Sequence, residues 1–440
     1  MLFPLARRWK TRCTGREPLL LPVPARLRCQ MGPYDVGIIG GGCAGLFLAK
    51  ELALRNCECV VIEKDPAAAH ASTRNQGWLQ SGSFYAAVDD DVAARGCHEG
   101  YEYITQTYRS AVLQEIDSYC LFRSRQGLRD TLKRCQRAHI PIAEVADNDI
   151  RQLQETNPIL RRTPLDYMAR SEDRPFDTRQ LLQSVANEIT SLGVDHIEPA
   201  RMDIIGVTRK SDGWEIDPGN GTRVGCRALV LACGACIPEL LESISPRIPM
   251  TIKITKTPVL VLQGDPVCTS AIMMPLELGG PNIVPFKAFD GITGVSVCLS
   301  RTDHPIEHAT DHSLPPKTPE AFAASLEAHL PGITEVIQAP QKSIEAHFYT
   351  CQKLKGSSRG PLAEYYEDLR LGIFYPGKFT SSPISARQFA DDLRKQFSRA
   401  TIMSSSSNPL RVARQRYYDR ADHKVEVVRG RLKFRPLSET

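Results

Sequence analysis

The chain has 440 residues, of which 42% are hydrophobic and 24% charged, and this composition is typical of a soluble globular protein of about two domains. The formal charge of +5 is modest for this length, and no apolar run approaches the roughly eighteen residues that a membrane-spanning helix requires. A membrane span and a nucleic-acid partner are therefore not expected. The fourteen cysteines, several of them within apolar runs, favour free thiols and a cytoplasmic location.

Both ends of the chain are basic. Residues 1–30 are rich in Arg and poor in acids, so they are either a targeting segment, which would give a mitochondrial matrix location, or an over-long gene start. Residues 401–440 form a basic C-terminal tail, in which the pattern of 424–435 predicts a hairpin. A solvated charged surface is the favoured interpretation of both ends.

The first ordered pattern is a strand–turn–helix–strand unit. A buried strand over 35–39 leads into Gly40-Gly41-Gly42-Cys43-Ala44-Gly45, and a helix over 46–55 is followed by a second strand ending at Glu63. In this arrangement Gly40 permits the tight turn, Gly42 lets a pyrophosphate approach the backbone, and Gly45 allows close helix packing. A carboxylate at the position of Glu63 suits ribose hydroxyls. The unit predicts dinucleotide binding and fits NAD as well as FAD.

Further elements follow in chain order. The patterns predict helices over 90–119, 128–138, 177–192, 319–329 and 385–397, and strands near 200–209, 214–216, 228–232 and through 250–302. The stretch 303–317 is rich in His, Pro and acids, and it predicts a surface excursion with at most one short helix. No second glycine fingerprint after a strand is found, so a separate NAD(P)H-binding domain is not expected.

Three further stretches carry a family resemblance: residues 72–82 (STRNQGWLQSG), 228–235 (ALVLACGA) and 376–383 (PGKFTSSP). With the glycine unit, they resemble the glycine/D-amino-acid oxidase family of FAD-dependent oxidoreductases, which includes glycerol-3-phosphate and L-2-hydroxyglutarate dehydrogenases. The last stretch is similar to the turn beside the flavin of glycerol-3-phosphate dehydrogenases. Two positions depart from the family pattern, since Gln80 stands where some relatives have His, and Cys236 where an aromatic residue is common.

The resemblance implies a mixed α/β fold with FAD as the cofactor. It implies a Rossmann-like FAD-binding domain, built from 31–115, 165–245 and 366–400, interleaved with an antiparallel-sheet substrate domain from 116–164 and 246–365. The residues expected to contact FAD are Gly40, Gly42, Ala44, Gly45, Glu63, Lys64, Thr73, Arg74, Asn75, Gln76, Met202, Gly234, Gly377, Lys378, Phe379 and Thr380.

The implied reaction is hydride transfer to flavin N5 from a C–H bond that bears an amine or hydroxyl, as in an amino acid or 2-hydroxy acid. Oxygen, a quinone or a protein would then accept the electrons. A glycine-rich turn such as Gly377–Thr380, which opens a helix, directs amides outward, and these amides with Lys378 could stabilise the negative charge of reduced flavin. The alternatives are an FAD-dependent monooxygenase, which would need external reductant, and a non-catalytic FAD-binding partner protein.

Candidate catalytic residues lie just upstream of that turn. Tyr349 or Lys353 could hold a substrate carboxylate and His347 could accept a proton, although a structural strand histidine and an exposed lysine are equally compatible with the pattern. Lys256 is a weaker candidate of the same kind.

Two metal-like patterns are not expected to bind metal. Cys233 and Cys236 form a Cys-x-x-Cys, but no second cysteine pair at ligand spacing accompanies it. His304, His308 and His312 would share one face of a helix, but the segment is short and polar, so a solvated face is favoured. We therefore expect no metal site.

Overall fold

The computed structural model describes residues 30–65, 70–197, 206–219, 223–245, 248, 253–264, 268–273, 280–287, 293–299, 303–309, 311, 313, 318–339, 344–355, 361–396, 423–428 and 431–436. Met202 and His312, two residues singled out in the sequence, lie outside this part of the chain. No helix within it is long and apolar enough to cross a membrane.

The described part contains ten α-helices: α1 (Cys43–Ala53), α2 (Ser83–Ala87), α3 (Asp91–Thr107), α4 (Arg125–Arg137), α5 (Asp147–Thr156), α6 (Thr178–Ser191), α7 (Ile237–Ile244), α8 (Thr318–His329), α9 (Ile333–Gln338) and α10 (Ser382–Gln396). Short 3-10 helices occur at Arg109–Ala111, Pro158–Leu160, Gly234–Cys236 and Glu367–Leu369.

The strands of the same part are β1 (Gln30–Ile39), β2 (Cys59–Ile62), β3 (Trp78–Leu79), β4 (Ser118–Phe122), β5 (Ile142–Glu144), β6 (Tyr167–Ser171), β7 (Arg174–Pro175), β8 (Asp195–Ile197), β9 (Gly206–Arg209), β10 (Trp214–Asp217), β11 (Arg223–Leu231), β12 (Lys253–Gly264), β13 (Ala271–Met273), β14 (Pro281–Lys287), β15 (Thr293–Leu299), β16 (His304–Ile306), β17 (Ile344–Lys355), β18 (Leu362–Tyr366), β19 (Leu371–Tyr375), β20 (His423–Val428) and β21 (Arg431–Pro436).

The first sheet has the order β18-β19-β11-β1-β2-β8, with β10 and β9 added beside β11. Strands β19, β11, β1, β2 and β8 run parallel, and in β1 the residues Val36, Ile38 and Ile39 are buried. Burial on both faces explains why this strand reads as a continuous apolar run rather than an alternating one. The mixed α/β fold predicted from the sequence is confirmed.

The second sheet is mostly antiparallel and has the order β21-β20-β17-β12-β15-β14-β13-β4-β6-β5, with β16 beside β12. Its strands come from parts of the chain that alternate with those of the first sheet, so the two sheets are interleaved in sequence. The hairpin predicted in the basic tail is confirmed as β20–β21, and β20 pairs with β17 at the edge of this sheet.

Helices α1, α6 and α10 contribute to one apolar core that covers the first sheet. A buried polar cluster ties α1 to its neighbours. The Lys50 ammonium donates to the hydroxyls of Tyr108 (2.8 Å) and Tyr103 (3.1 Å) and pairs with Glu188 of α6. Burial alone would lower the pKa of Lys50, but these hydrogen bonds outweigh it and raise the pKa. The helix that follows the glycine turn is therefore fixed on two sides.

One sequence expectation is wrong. The helix expected over 90–119 ends at Thr107, and residues 118–122 form β4 of the second sheet instead, where they pair with β6 and β13. The helix face that would align His304 with His308 is not formed, because His304–Ile306 is a strand paired with β12. His308 instead contacts Glu239 at 3.1 Å.

Candidate functional site

The glycine turn between β1 and α1 is closed by backbone contacts. Gly40 has a φ of 116°, and a Cβ there would lie 2.7 Å from the backbone of Ala232. A Cβ on Gly45 would lie 1.8 Å from the Gly40 carbonyl oxygen. Only glycine fits at either position, since one requires a left-handed backbone and both meet backbone atoms.

The N-terminus of α1 opens beside this turn. Gly42 caps the helix without a side-chain hydrogen bond, and a Cβ there would lie 3.0 Å from Ser72 Oγ. The amide of Cys43 donates to Ser72 Oγ at 2.9 Å. The first-turn amides of Cys43, Ala44 and Gly45 have no acceptor within the helix, so this end of α1 favours an anion.

Glu63 follows β2 and is only 9% exposed. Its Oε2 accepts from the Gly41 amide at 2.6 Å, and its Oε1 accepts from the Asp65 amide at 3.1 Å. Burial raises the pKa of the Glu63 carboxyl, and the two amide donors oppose that rise. The carboxyl group is thus held against the glycine turn, where it can accept hydrogen bonds from hydroxyl groups.

The Cys-x-x-Cys lies at the same edge, on the 3-10 turn after β11. Cys233 and Cys236 are free thiols, and burial is the main cause that raises the pKa of each. Lys64 opposes both rises, and Gly234 between the cysteines has a φ of 58°. Within the described ranges no group of three or more His, Cys, Asp or Glu could hold a metal ion.

The segment 72–82 begins with a compact turn. Asn75 Nδ2 donates to the Ser72 carbonyl at 2.6 Å, and Asn75 Oδ1 accepts from the Gly77 amide at 2.8 Å. Thr73 and Arg74 are 6% and 5% exposed, so this turn is part of the interior.

The same segment reaches the second sheet through Gln76. The side-chain amide of Gln76 donates to the main-chain carbonyl of Asn282 at 2.7 Å. The main-chain carbonyl of Gln76 accepts from Ser296 Oγ at 2.9 Å. Asn282 and Ser296 belong to the adjacent strands β14 and β15. Gln76 therefore joins the glycine-turn side of the site to the face of the second sheet.

The residues Gly377–Thr380, hereafter the 377–380 turn, lie between β19 and α10. Gly377 has a φ of 75°, and Ser381 Oγ donates across the turn to the Pro376 carbonyl at 3.0 Å. Ser382 Oγ donates to the Lys378 carbonyl at 3.0 Å. These hydroxyl groups fix the turn from within.

The 377–380 turn meets α1 and α3. Ser382 Oγ lies 3.6 Å from Cys43 Sγ at the N-terminus of α1. A Cβ on Gly100 of α3 would lie 1.9 Å from the Thr380 carbonyl oxygen. Phe379 packs edge-on against Phe176, with ring centroids 5.1 Å apart. The two glycine-rich turns, distant in sequence, are thus brought together.

One face of the second sheet carries a buried apolar cluster, formed by Val259, Val261, Phe286 and Cys351. The partly buried Ala71, from the start of the 72–82 region, packs against this cluster. Burial raises the pKa of the Cys351 thiol, which therefore behaves as a small apolar side chain.

The expected catalytic residues differ in their surroundings. Lys353 is partly exposed and pairs with Asp303 at 3.0 Å, and Asp303 also accepts from Thr257 Oγ1 at 2.5 Å. The backbones of His347 and Tyr349 pair with Val261 and Val259, which belong to the apolar cluster, whereas their side chains lie outside the described part.

Lys256 is only 2% exposed and pairs with Asp311 at 3.0 Å. Its ammonium is therefore engaged in an ion pair with a partly exposed carboxylate.

Sequence patterns missed three residues that contact the 377–380 turn or its supports. Gly100 lies inside a helix, Tyr85 lies beneath the Lys378 ammonium at 5.1 Å from the ring centroid, and Asp173 is a buried carboxyl group behind Ser81. No pattern of spacing in the sequence indicates a role for Asp173 or Tyr85. A glycine in the interior of a helix is the one signal that could have indicated Gly100, because it is unfavourable unless packing requires it.

The model of the family described as FAD dependent oxidoreductase (DAO) matches residues 35–391, and the chain belongs to this family. FAD is the family's cofactor. A curated relative, a subunit of the anaerobic glycerol-3-phosphate dehydrogenase of Haemophilus influenzae, is 36% identical over 98 residues. That match covers 22% of this chain and 16% of the relative's length.

Solved structures share the fold at low identity. Glycine oxidase from Geobacillus kaustophilus aligns with a TM-score of 0.64 and 16% identity, over 88% of this chain and all of that one (100%). L-proline dehydrogenase from P. horikoshii aligns with a TM-score of 0.63 and 14% identity, over 83% of this chain and 94% of that one.

Proposed function

We propose that this FAD-dependent oxidoreductase oxidises an amino acid or 2-hydroxy acid by removing hydride from the carbon that bears the amine or hydroxyl. The observation that carries the proposal is the contact between Ser382 and Cys43, which brings the 377–380 turn to the N-terminus of α1. FAD, when bound, would accept the hydride at N5. The protein would supply binding, orientation and exclusion of water.

The residues around α1 fit the nucleotide part of FAD. The glycine turn brings the backbone close to its neighbours without side chains in between, and the first-turn amides of α1 suit a pyrophosphate. Glu63, held by the Gly41 amide, would accept ribose hydroxyl groups. The proposed FAD contacts remain Gly40, Gly42, Ala44, Gly45, Glu63, Lys64, Thr73, Arg74, Asn75, Gln76, Met202, Gly234, Gly377, Lys378, Phe379 and Thr380.

The 377–380 turn would serve the flavin end. Its backbone is fixed by Ser381 and Ser382, so its amides need little reorganisation when negative charge develops near them. Lys378 would add a positive charge there. Preorganised donors in a site that excludes water stabilise such charge more than water does.

On the substrate side, Lys353 or Tyr349 would anchor the carboxylate and His347 would accept a proton. The ion pair between Lys353 and Asp303 is partly exposed and therefore weak. Lys353 would exchange this partner for the substrate carboxylate. The names of the relatives, glycine oxidase and L-proline dehydrogenase, support an amino acid, and glycerol-3-phosphate dehydrogenase supports a hydroxyl-bearing carbon. Oxygen, a quinone or a protein would accept the electrons.

The test is anaerobic. The purified protein is examined for flavin absorbance and mixed with panels of amino acids and 2-hydroxy acids. We expect one class to bleach the flavin band without added NADPH. Bleaching by NADPH alone would replace the proposal with a monooxygenase. A protein that cannot be loaded with FAD would overturn it.

The carboxylate anchor is tested once a substrate is found. Lys353→Gln should raise KM for that substrate more than it lowers kcat, since it removes binding common to ground and transition states. Lys395→Gln, which removes the exposed pair with Asp392 on α10, is the matched control. Equal KM values in the two variants would exclude Lys353 as the anchor.

A further inference from the structure

A fully buried carboxyl group lies behind the 377–380 turn. Asp173, between β6 and β7, is 0% exposed, and no Lys, Arg or His of the described residues forms an ion pair with it. Its Oδ1 accepts from the Ser81 amide at 2.5 Å, and its Oδ2 accepts from Ser83 Oγ at 3.1 Å. A buried carboxyl group without a cationic partner is costly, so its hydrogen bonds must compensate for the loss of water.

The backbone beside Asp173 places these groups. Leu79 of β3 pairs with Arg174 of β7, which brings Ser81 next to Asp173. Gly82 then turns the chain into α2 with a φ of 101°, and a Cβ there would lie 2.4 Å from the Ala94 carbonyl oxygen. The junction from β3 to α2 is therefore tight and held from one side by a single carboxyl group.

This junction contacts the 377–380 turn twice. The Gln80 amide donates to Thr380 Oγ1 at 3.2 Å, and the ring of Tyr85 on α2 lies beneath the Lys378 ammonium, 5.1 Å from the ring centroid. One contact precedes Ser81 in sequence and the other follows it. A movement of the junction would therefore displace both Thr380 and Lys378.

We propose that Asp173 is a positioning residue for the flavin: it holds the β3–α2 junction so that Thr380 and Lys378 keep their places beside the flavin. This inference rests on the proposed function, which puts the 377–380 turn at the flavin. Asp173 itself acts through Ser81 and Ser83 and does not touch the cofactor.

The readout is the midpoint potential of bound FAD, measured against a reference dye in holoprotein, which needs no substrate. Asp173→Ala releases the junction, so the charge of reduced flavin is less well stabilised. We expect the reduction equilibrium to fall about tenfold, a shift of about 30 mV to lower potential for a two-electron couple. Asp173→Asn keeps an acceptor for Ser81 and should stay at or slightly above the wild-type potential.

The direction of the shift in midpoint potential distinguishes the loss of positioning from the loss of a negative charge. Loss of a negative charge alone would raise the potential in both Asp173 variants, whereas loss of position lowers it only in Asp173→Ala. Asp177→Ala is the matched control, because this nearby buried carboxyl group accepts from the Arg179 and Gln180 amides and caps α6. It should not lower the potential.

Ser83→Ala extends the test to a milder change, because it removes one donor and leaves the carboxyl group in place. We expect a smaller shift in the same direction, and this variant decides the matter if Asp173→Ala does not fold. An unchanged potential in Asp173→Ala, or in Ser83→Ala where Asp173→Ala does not fold, would overturn the inference alone, as would an equal downward shift in Asp177→Ala. A wild-type protein that binds no FAD would overturn the proposed function and the inference together.

Discussion

Close backbone approach determines the identity of several single residues in the site. Gly45 and Gly100 both face carbonyl oxygens at distances where no Cβ fits, at 1.8 Å and 1.9 Å. The first packs α1 on the turn after β1, and the second packs α3 on the 377–380 turn. A side chain at either position must displace backbone rather than a flexible neighbour.

Gly100→Ala should therefore weaken FAD binding. Its Cβ would push the Thr380 carbonyl away, and we expect at least about a tenfold higher Kd for FAD, equivalent to about 1.4 kcal/mol. The measurement is titration of the apoprotein with FAD, followed by fluorescence.

The control, Gly96→Ala, lies in the same helix and would meet only Ser381 Cβ at 3.8 Å, an ordinary contact. It should bind FAD like wild type and gain about 0.5–1 kcal/mol in stability from helix propensity. Equal FAD affinity in the two variants would refute the steric argument.

Asp173 should also make the free energy of unfolding depend on pH. Burial raises the pKa of this carboxyl group above its ordinary value of about 3.9, so the native state binds the proton more tightly than the unfolded chain does. The free energy of unfolding then falls as pH rises from about 4 through the raised pKa, because the unfolded chain ionises first.

Asp173→Asn does not titrate. Its free energy of unfolding minus that of wild type should increase with pH across this window, by at most about 1.4 kcal/mol per pH unit, and stay constant above it. Urea unfolding at a series of pH values measures this difference. A difference independent of pH would mean that the pKa of Asp173 is not raised in the native state.

At the scale of elements, one buried amide joins α5 to the segment before β13. Asn157 is 0% exposed, its Oδ1 accepts from the amides of Thr269 (2.6 Å) and Ser270 (3.2 Å), and its Nδ2 donates to the Leu153 carbonyl (2.8 Å). Its removal would leave the buried Ser270 amide and the part-buried Thr269 amide without this acceptor.

Asn157→Ala should lower the free energy of unfolding by about 3 kcal/mol, since each buried group left unpaired costs about 1–3 kcal/mol. Urea denaturation measures the loss. Asn187→Ala on α6, which removes an exposed hydrogen bond to Gln183, should stay within about 0.5 kcal/mol of wild type. Similar losses in both variants would contradict the role of burial.

The sequence predicted elements well where the signal was local. The glycine unit from β1 to β2 and the helix α6, capped by Asp177, follow the expected positions because caps, glycines and apolar periodicity act over a few residues. Strand β4 was missed because the apolar run at 118–122 continues a helical pattern. Its pairing with β6 and β13 is set by distant segments, which no local window contains.

The same distinction applies to the site. Spacing indicated the contact of Glu63 with the glycine turn, whereas Asp173 and Gly100 contact partners far away in sequence, Ser81 and Thr380. The FAD contacts and the catalytic roles of His347, Tyr349 and Lys353 stay predictions.

At the scale of the whole molecule, the C-terminal hairpin completes an edge of the second sheet. Strand β20 pairs with β17 at His347–Lys424 and Phe348–His423. A chain that ends at residue 422 would expose the hydrogen-bonding edge of β17, and such edges promote aggregation.

We expect this truncated chain to show a lower Tm and a larger aggregated fraction than a control chain that ends at residue 436 and keeps the hairpin. Thermal unfolding and size-exclusion chromatography provide the measurements. Identical behaviour of the two chains would show that the hairpin is dispensable for the sheet.

The contact between Ser382 and Cys43 joins residues 339 positions apart, and this separation bears on how the protein is made. The glycine turn leaves the ribosome before the 377–380 turn has been translated. At about 5–20 residues per second, the delay is roughly 17–70 s. The two turns therefore cannot meet on the nascent chain during that interval, and under the proposed function full loading with FAD must wait for the second turn.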